Sequence, residues 1–128
     1  MILLAEDDLR VLDSMQETLE QGGYAVQAAS SGEEAIHLLW HLEQPISGLV
    51  TDIRLGAGPN GWDVARTARE RYPELPIVYM TGENPLEWTS QGVPKSILLQ
   101  KPFAAAQLVT AMSTLMNNVD SNPHLETA

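Results

Sequence analysis

The sequence predicts an α/β fold of the (βα)5 type, in which a doubly wound parallel sheet is covered by helices on both faces. Short, continuous apolar runs alternate with segments whose apolar residues recur at helical spacing, and five such pairs follow one another along the 128 residues. Continuously apolar strands joined by helical crossovers are typical of parallel sheets buried on both faces. A chain of this length can form one compact domain with a hydrophobic core.

The elements in the first half of the chain are separated by clear stop signals. Acidic residues at 6–8 end the first apolar run, Gly22-Gly23 ends the first helical segment, and Pro45 ends the second. The sequence Ser-Ser-Gly-Glu-Glu at 30–34 is typical of a helix N-terminus. The predicted elements are a strand at 1–5, a helix at 9–21, a strand at 24–29, a helix reaching 42, and a strand from 48 that ends at Asp52.

The second half of the chain repeats this alternation after a glycine-rich loop. Pro73 stops the third helix, and Asn84 and Pro85 could cap a short, weak fourth one. The predicted elements are a helix at 62–72, a strand at 76–81, a helix from 84 to about 90, a strand at 97–100 and an alanine-rich helix at 104–116. We expect one domain over 1–117, followed by a flexible polar tail at 118–128.

Composition excludes several classes of function. The chain has no cysteine, so disulfides, thiolate nucleophiles and cysteine-bound metals are excluded. Its formal net charge is −10 with only seven Lys and Arg residues, which argues against DNA binding. No apolar run approaches the roughly 20 residues of a membrane span, and no basic region precedes an apolar stretch at the amino terminus. The sequence therefore predicts a cytoplasmic protein that binds neither DNA nor membranes.

Polar side chains gather at the carboxyl ends of the predicted strands. Ligands of doubly wound sheets bind outside these ends, near the point where the strand order reverses. The residues found there are Glu6, Asp7, Asp8, Asp52, Thr81 and Lys101. Acids, a hydroxyl and an ammonium from four strands are thus predicted to converge at one edge of the sheet.

This combination of residues indicates phosphoryl chemistry with a hard metal ion. Clustered carboxylates repel one another unless a cation neutralises them, and oxygen ligands without His or Cys suit Mg²⁺ or Mn²⁺. A carboxylate such as Asp52 can act as a nucleophile toward a phosphoryl group. Thr81 and Lys101 would then donate hydrogen bonds to the phosphoryl oxygens.

Each of these residues also has an ordinary structural interpretation. The acids at 6–8 could stabilise the N-terminus of the first helix, and Asp52 could cap a turn. Thr81 could be an ordinary strand residue, and Lys101 a solvated charge. Their joint placement at strand ends favours the interpretation as a site.

Four motifs in this order resemble the receiver domain of response regulators, over about residues 1–117. The motifs are Leu-Leu-Ala-Glu-Asp-Asp at 3–8, Leu-Val-Thr-Asp at 49–52, Val-Tyr-Met-Thr-Gly at 78–82 and Lys-Pro-Phe at 101–103. The resemblance implies a flavodoxin-like three-layer sandwich with strand order 2-1-3-4-5. It also implies that Asp52 is the phosphoacceptor, that Thr81 and Lys101 contact the phosphoryl group, and that the Lys101-Pro102 bond is cis.

The same resemblance implies the metal ligands and the partners. Asp7, Asp52 and the main-chain carbonyl of Arg54 would bind Mg²⁺, with Glu6 supporting through water; Asp8 falls outside the usual acidic pair. A sensor histidine kinase or a histidine phosphotransfer protein would supply the phosphoryl group. The domain would then be a signalling switch that acts on an unknown downstream protein, and would not be a turnover enzyme. A homodimer is compatible with this function.

Two departures from the family pattern leave details open. The loop at 53–61 is about one residue longer than usual and lacks a proline soon after the phosphoacceptor, so its path over the site is not predicted. Leu98 stands where many receivers carry Tyr or Phe as a rotating switch residue.

The segment at 83–95 is short and contains two prolines and a glycine, so we expect it to be mobile. Tyr79 is expected to be buried, and His37 and His41 to be solvated.

Three alternative functions are compatible with parts of the sequence. A degenerate receiver could bind partners without phosphorylation, which would fit the altered loop and Leu98. An aspartyl-phosphate phosphatase of the haloacid dehalogenase type would need a second Asp where this chain has Arg54, and space for a cap. A flavodoxin-like cofactor carrier would place a phosphate beside the acids at 6–8, which would repel it.

Overall fold

The computed structural model describes residues 1–82 and 88–120, and strands and helices alternate strictly along them. The elements are β1 Ile2–Ala5, α1 Leu9–Gln21, β2 Val26–Ala29, α2 Gly32–His41, β3 Gly48–Asp52, α3 Gly61–Arg71, β4 Ile77–Thr81, α4 Trp88–Gln91, β5 Ser96–Gln100 and α5 Ala105–Asp120. The α/β class and the (βα)5 pattern are confirmed.

The five strands form one parallel sheet in the order β2-β1-β3-β4-β5. This order is the predicted one. All five strands are parallel, but successive strands are added on one side from β1 to β2 and on the other side from β3 to β5, so the two halves of the sheet meet between β1 and β3. Every residue of β1, β3 and β4 is buried, whereas the edge strands β2 and β5 are partly exposed. Helices cover both faces of the three inner strands, and this explains why their sequences are mainly apolar.

Alternate residues along each strand enter two separate cores. On one face, Leu3, Leu49 and Ile77 pack with residues of α2 and α3. On the other face, Leu4 and Val50 pack with residues of α1 and α5. The result is the predicted three-layer sandwich.

Side chains at the helix N-termini explain where three helices begin. Asp8 caps α1 by accepting from the main-chain nitrogens of Arg10 and Val11 at 3.0 and 3.4 Å. Ser31 caps α2, as the sequence predicted, and Asn60 forms a reciprocal capping box with Asp63 at the start of α3. These caps hold the helix starts at the carboxyl edge of the sheet.

Several element boundaries differ from the predicted ones. β2 begins at Val26, two residues late, because the main-chain nitrogen of Tyr24 bonds the carbonyl of Leu19 at the end of α1. The last helix continues to Asp120, so residues 118–120 are helical and not part of a tail. The rest of the predicted tail, 121–128, and the start of the predicted fourth helix, 84–87, lie outside the described residues.

The remaining expectations about single residues have clear outcomes. Tyr79 is fully buried, and His37 and His41 are exposed, as predicted. Residues 83–87 of the segment expected to be mobile lie outside the described part of the chain. Among the residues that the structure describes, no helix has both the length and the apolar character that a membrane span requires.

Candidate functional site

The parallel register brings the ends of four strands to one point. Asp52, the last residue of β3, is level with Met80 of β4, one residue before Thr81. The main-chain nitrogen of Lys101 donates to the carbonyl oxygen of Thr81 at 2.7 Å, which joins the end of β5 to the end of β4. The Lys101-Pro102 bond is cis, as the resemblance predicted.

Lys101 connects the two buried acids of the site. Its ammonium donates to Oδ2 of Asp52 at 2.9 Å and to Oε1 of Glu6 at 3.2 Å. The side chain of Asp52 is 11% exposed and that of Lys101 is 29% exposed. Burial alone would lower the pKa of Lys101, but the hydrogen bond and charge of Asp52, together with Glu6, outweigh it and raise the pKa. Lys101 is therefore held as a cation at this position.

Glu6 is almost completely buried, at 1% exposure. Its Oε2 accepts a hydrogen bond from the main-chain nitrogen of Asp8 at 3.1 Å, and its Oε1 contacts Lys101. Burial raises the pKa of Glu6 from 4.5 to about 7; the charge of Asp52 acts in the same direction, while Asp8 and Lys101 oppose it. The carboxyl of Glu6 is therefore easier to protonate near neutral pH than an ordinary glutamate.

Three carboxylates form a group that fits a hard divalent cation. Glu6, Asp7 and Asp52 each offer an oxygen, and these oxygens lie within 4.8 Å of one another. Asp7 is exposed, so the group has one solvent-facing and two enclosed members. Oxygen-only donors of this kind match Mg²⁺ or Mn²⁺ and do not match the softer metals that need His or Cys. The role of the Arg54 carbonyl as a further ligand stays a prediction.

The structure defines the path of the long loop after Asp52. Leu55 is buried in the core, and Pro59 lies against Gly32 at the start of α2. The loop then returns, so that the main-chain nitrogen of Gly61 donates to the carbonyl of Ile53 at 2.8 Å. Any side chain at Gly61 would overlap the carbonyl oxygen of Asp52. The loop thus closes onto the backbone of Asp52 and leaves its side chain facing the carboxylate group.

A cleft of about 600 Å³ lies beside the acidic group, and sequence reasoning missed most of its wall. Asp7 and Arg54 line it, as the strand-end pattern would place them. It is also lined by Asn60 and Trp62 from the start of α3, by Arg66 one turn further, and by Gln91 of α4. Helical spacing puts Arg66 on the same face as Asp63, but no signal in the sequence places α4 beside it.

The pH dependence of stability should report the raised pKa of Glu6. Between pH 4.5 and 7 the folded protein holds a proton that the unfolded chain has lost, so the free energy of unfolding falls as the pH rises through this window. The fall should be up to about 3 kcal/mol in metal-free buffer, and Glu6→Gln should lack it. Urea unfolding of both proteins at pH 5 and 7.5 measures it. A difference between them that does not change with pH would contradict the assignment.

The fold and the site together define a class: doubly wound α/β proteins with a carboxylate group and a lysine at the carboxyl edge of the sheet. The family profile described as the response regulator receiver domain matches residues 2–113. The chain therefore belongs to the response regulator receiver family, as its motifs predicted.

Individual relatives agree with this assignment. A crystal structure of a response regulator receiver protein from Sinorhizobium medicae is 52% identical, with a TM-score of 0.88 over 91% of this chain and 93% of that one. A receiver protein of Anaeromyxobacter is 36% identical over 86% of this chain and 43% of its own length. The probable transcriptional regulatory protein SilR of Salmonella typhimurium is 30% identical over 90% of this chain and 50% of its own length. The chain thus spans about half the length of these curated relatives.

Proposed function

We propose that Asp52 accepts a phosphoryl group from a sensor histidine kinase or a histidine phosphotransfer protein, in a reaction that requires Mg²⁺ or Mn²⁺. The observation that carries this proposal is the position of the Asp52 carboxylate. One of its oxygens is bonded by Lys101, and the carboxylate oxygens of Glu6 and Asp7 lie within 4.8 Å. Such a carboxylate has the Lys101 ammonium beside it and two further carboxylates that could bind a metal ion with it. Positive charge at this position would compensate the anionic phosphoryl group that the nucleophile meets.

In the proposed step, an oxygen of Asp52 forms a bond to phosphorus while the bond from phosphorus to the donor imidazole nitrogen breaks. The electron pair of that bond stays on the imidazole, and Asp52 becomes an acyl phosphate. Lys101 and the hydroxyl of Thr81 would donate to the phosphoryl oxygens, as the resemblance implies. Asp7, Asp52 and the Arg54 carbonyl, with Glu6 through water, would hold the metal ion, which supplies compensation for the charge on the transferred group.

The output of this reaction is a change in protein binding. We infer that the domain assists its own phosphorylation and dephosphorylation without acting as a turnover enzyme, and that it works in the cytoplasm. Phosphorylation would shift an equilibrium between conformations that a downstream protein distinguishes. One relative, SilR, is named as a probable transcriptional regulatory protein. Transcriptional regulation by the whole protein is, for this chain, a proposal only.

The test is the covalent chemistry of the purified chain. Incubation with acetyl phosphate and Mg²⁺ should add about 80 Da, the mass of one phosphoryl group on a carboxylate nucleophile. Hydroxylamine should remove the adduct, because it cleaves acyl phosphates and leaves phosphate esters of Ser, Thr and Tyr intact. Chelation of the metal with EDTA before the donor is added should prevent the adduct. An adduct that forms equally well in EDTA, or that survives hydroxylamine, would contradict the proposal.

A further inference from the structure

Helix α2 carries two histidines on the side that faces solvent. His37 and His41 are four residues apart, so their side chains lie one above the other on the same side of the helix. Ala35 and Leu39 lie on the other side of α2 and are buried in the core. Because this buried side fixes the rotation of the helix, both imidazoles are exposed and accessible to a dissolved ion.

The hydrogen bond of His41 determines which of its nitrogens is free. Its Nδ1 lies 2.8 Å from the carbonyl oxygen of His37. A carbonyl oxygen only accepts, so Nδ1 carries the hydrogen, and in the neutral ring Nε2 keeps the lone pair that a metal ion binds. Metal-binding histidines are commonly held in this way, with the second ring nitrogen donating to a carbonyl or a carboxylate. His41 therefore already has the tautomer of a metal ligand.

The two imidazole rings are close enough to bind one ion together. Their centroids are 4.1 Å apart and their planes are inclined by 18°. Two nitrogens bound to one tetrahedral Zn²⁺ at about 2.0–2.1 Å are about 3.3 Å apart. Small rotations of the two exposed side chains are enough to reach that separation, and the backbone of the helix need not move.

The charge around the two histidines favours a cation. Glu33 and Glu34 lie in the first turn of the same helix, and Glu33 is one turn before His37 on the same side. Glu34 accepts hydrogen bonds from the main-chain nitrogen and the hydroxyl of Ser30, at 2.7 and 3.2 Å. The chain as a whole has a formal net charge of −10. A divalent cation is therefore attracted to this surface of α2.

We propose that His37 and His41 form a binding site for a divalent transition-metal ion such as Zn²⁺. Imidazole nitrogens suit Zn²⁺, Cu²⁺ and Ni²⁺, whereas Mg²⁺ prefers oxygen ligands. The Nε2 atoms of both residues bind the ion, water molecules complete its coordination, and the ion links two successive turns of α2. This site is independent of the proposed function, because neither histidine belongs to the carboxylate group of Glu6, Asp7 and Asp52.

The test is Zn²⁺ binding to the whole chain in excess Mg²⁺, which competes for the carboxylate group. Isothermal titration calorimetry gives the affinity and the stoichiometry, and NMR of the imidazole nitrogens identifies the ligands. We expect one ion per chain and a shift of Nε2 in both His37 and His41, with the signals assigned by their loss in His37→Gln and His41→Gln. Each substitution should weaken binding by about 10-fold or more, since even the loss of an outer-shell partner costs about 10- to 100-fold.

His124→Gln and Asp52→Asn are the matched controls. His124 is the third histidine of the chain and lies outside the described residues, and Asp52 belongs to the carboxylate group. Both variants should bind Zn²⁺ as the wild type does, and the signals of His124 should not shift in the wild type. His37→Gln and His41→Gln change exposed side chains, so their unfolding temperatures in metal-free buffer should equal that of the wild type.

The possible outcomes distinguish this site from the phosphorylation site. A wild type that binds no Zn²⁺ in excess Mg²⁺ would overturn the proposal. A shift of only one of the two histidines, or wild-type affinity in His37→Gln or His41→Gln, would overturn it as well. Loss of Zn²⁺ binding in Asp52→Asn would assign the ion to the carboxylate group and not to α2. None of these results bears on whether Asp52 accepts a phosphoryl group, which the formation of the adduct reports separately.

Discussion

Asp52→Asn is expected to abolish the phosphoryl adduct formed with acetyl phosphate and Mg²⁺. The amide oxygen of Asn can still accept the hydrogen bond from Lys101, so the packing of the site should be preserved. The amide has no charged oxygen to attack phosphorus and is a poor metal ligand. We expect the amount of adduct measured by mass spectrometry to fall by about 100-fold or more. The thermal unfolding temperature should show that the variant is folded.

Asp8→Asn provides the matched control for Asp52→Asn. Asp8 is a close neighbour of the site, but it acts as the N-cap of α1 and is not a member of the carboxylate group. Asn is as good an N-cap as Asp, so the helix should keep its start. This variant should form the adduct at a rate close to that of the wild type. An adduct of wild-type amount in Asp52→Asn would show that another carboxylate, such as Asp7 or Glu6, is the acceptor.

Gly61→Ala is expected to destabilise the fold and to disturb Asp52 at the same time. A methyl group at this position would overlap the carbonyl oxygen of Asp52 and approach Cα of Ile53 to 2.8 Å. Both neighbours are backbone atoms at the end of β3, so neither can rotate away. Overpacking of this kind costs about 3 kcal/mol, and the unfolding temperature should fall by about 10 °C. Phosphorylation should slow as well, because the carboxylate would move with its backbone.

Gly82→Ala tests whether the effect at Gly61 comes from its close contact. Gly82 follows Thr81 at the same edge of the sheet, and a methyl group there would meet no heavy atom within 4 Å. The free energy of unfolding, measured in urea, should change by less than about 0.5 kcal/mol in this variant. Equal destabilisation by the two substitutions would show that the contact between Gly61 and Asp52 is not what makes glycine necessary at 61.

The ends of β3, β4 and β5 illustrate what could be predicted about the site. Each strand has an apolar centre and ends in polar residues, so the position of the site residue along the chain gave its position in space. Asp52 and Lys101 meet at 2.9 Å as a direct result. Asp8 shows the limit of this reasoning, because it follows β1 like Glu6 and Asp7 but points to the helix it caps. Which of three adjacent acids enters the site depends on the turn of the backbone after the strand.

The loop at 53–60 and α4 could not be derived in the same way. The loop has no apolar periodicity, and its path depends on the burial of Leu55 in the core. It also depends on Gly61, which allows a close contact with the backbone of Asp52, and on Gly32 of α2, which allows one with Pro59. In the described part of the chain α4 covers only Trp88–Gln91, and hydrogen bonds from Arg66 and Trp88 hold these residues in place. These contacts join residues that are 25 and 8 positions apart, and neither shows in a periodic pattern.

The sequence by itself determined the parallel sheet, the order of its elements, and the acids, threonine and lysine that meet at its carboxyl edge. These follow from local patterns, because burial on both faces produces apolar strands and polar residues then mark where the strands end. The tertiary structure alone decided the burial of Glu6, the closure of the loop onto Asp52, and the cleft in which Arg66 meets Gln91. Each of these depends on how distant segments pack against one another, and packing of that kind arises only when the chain is folded.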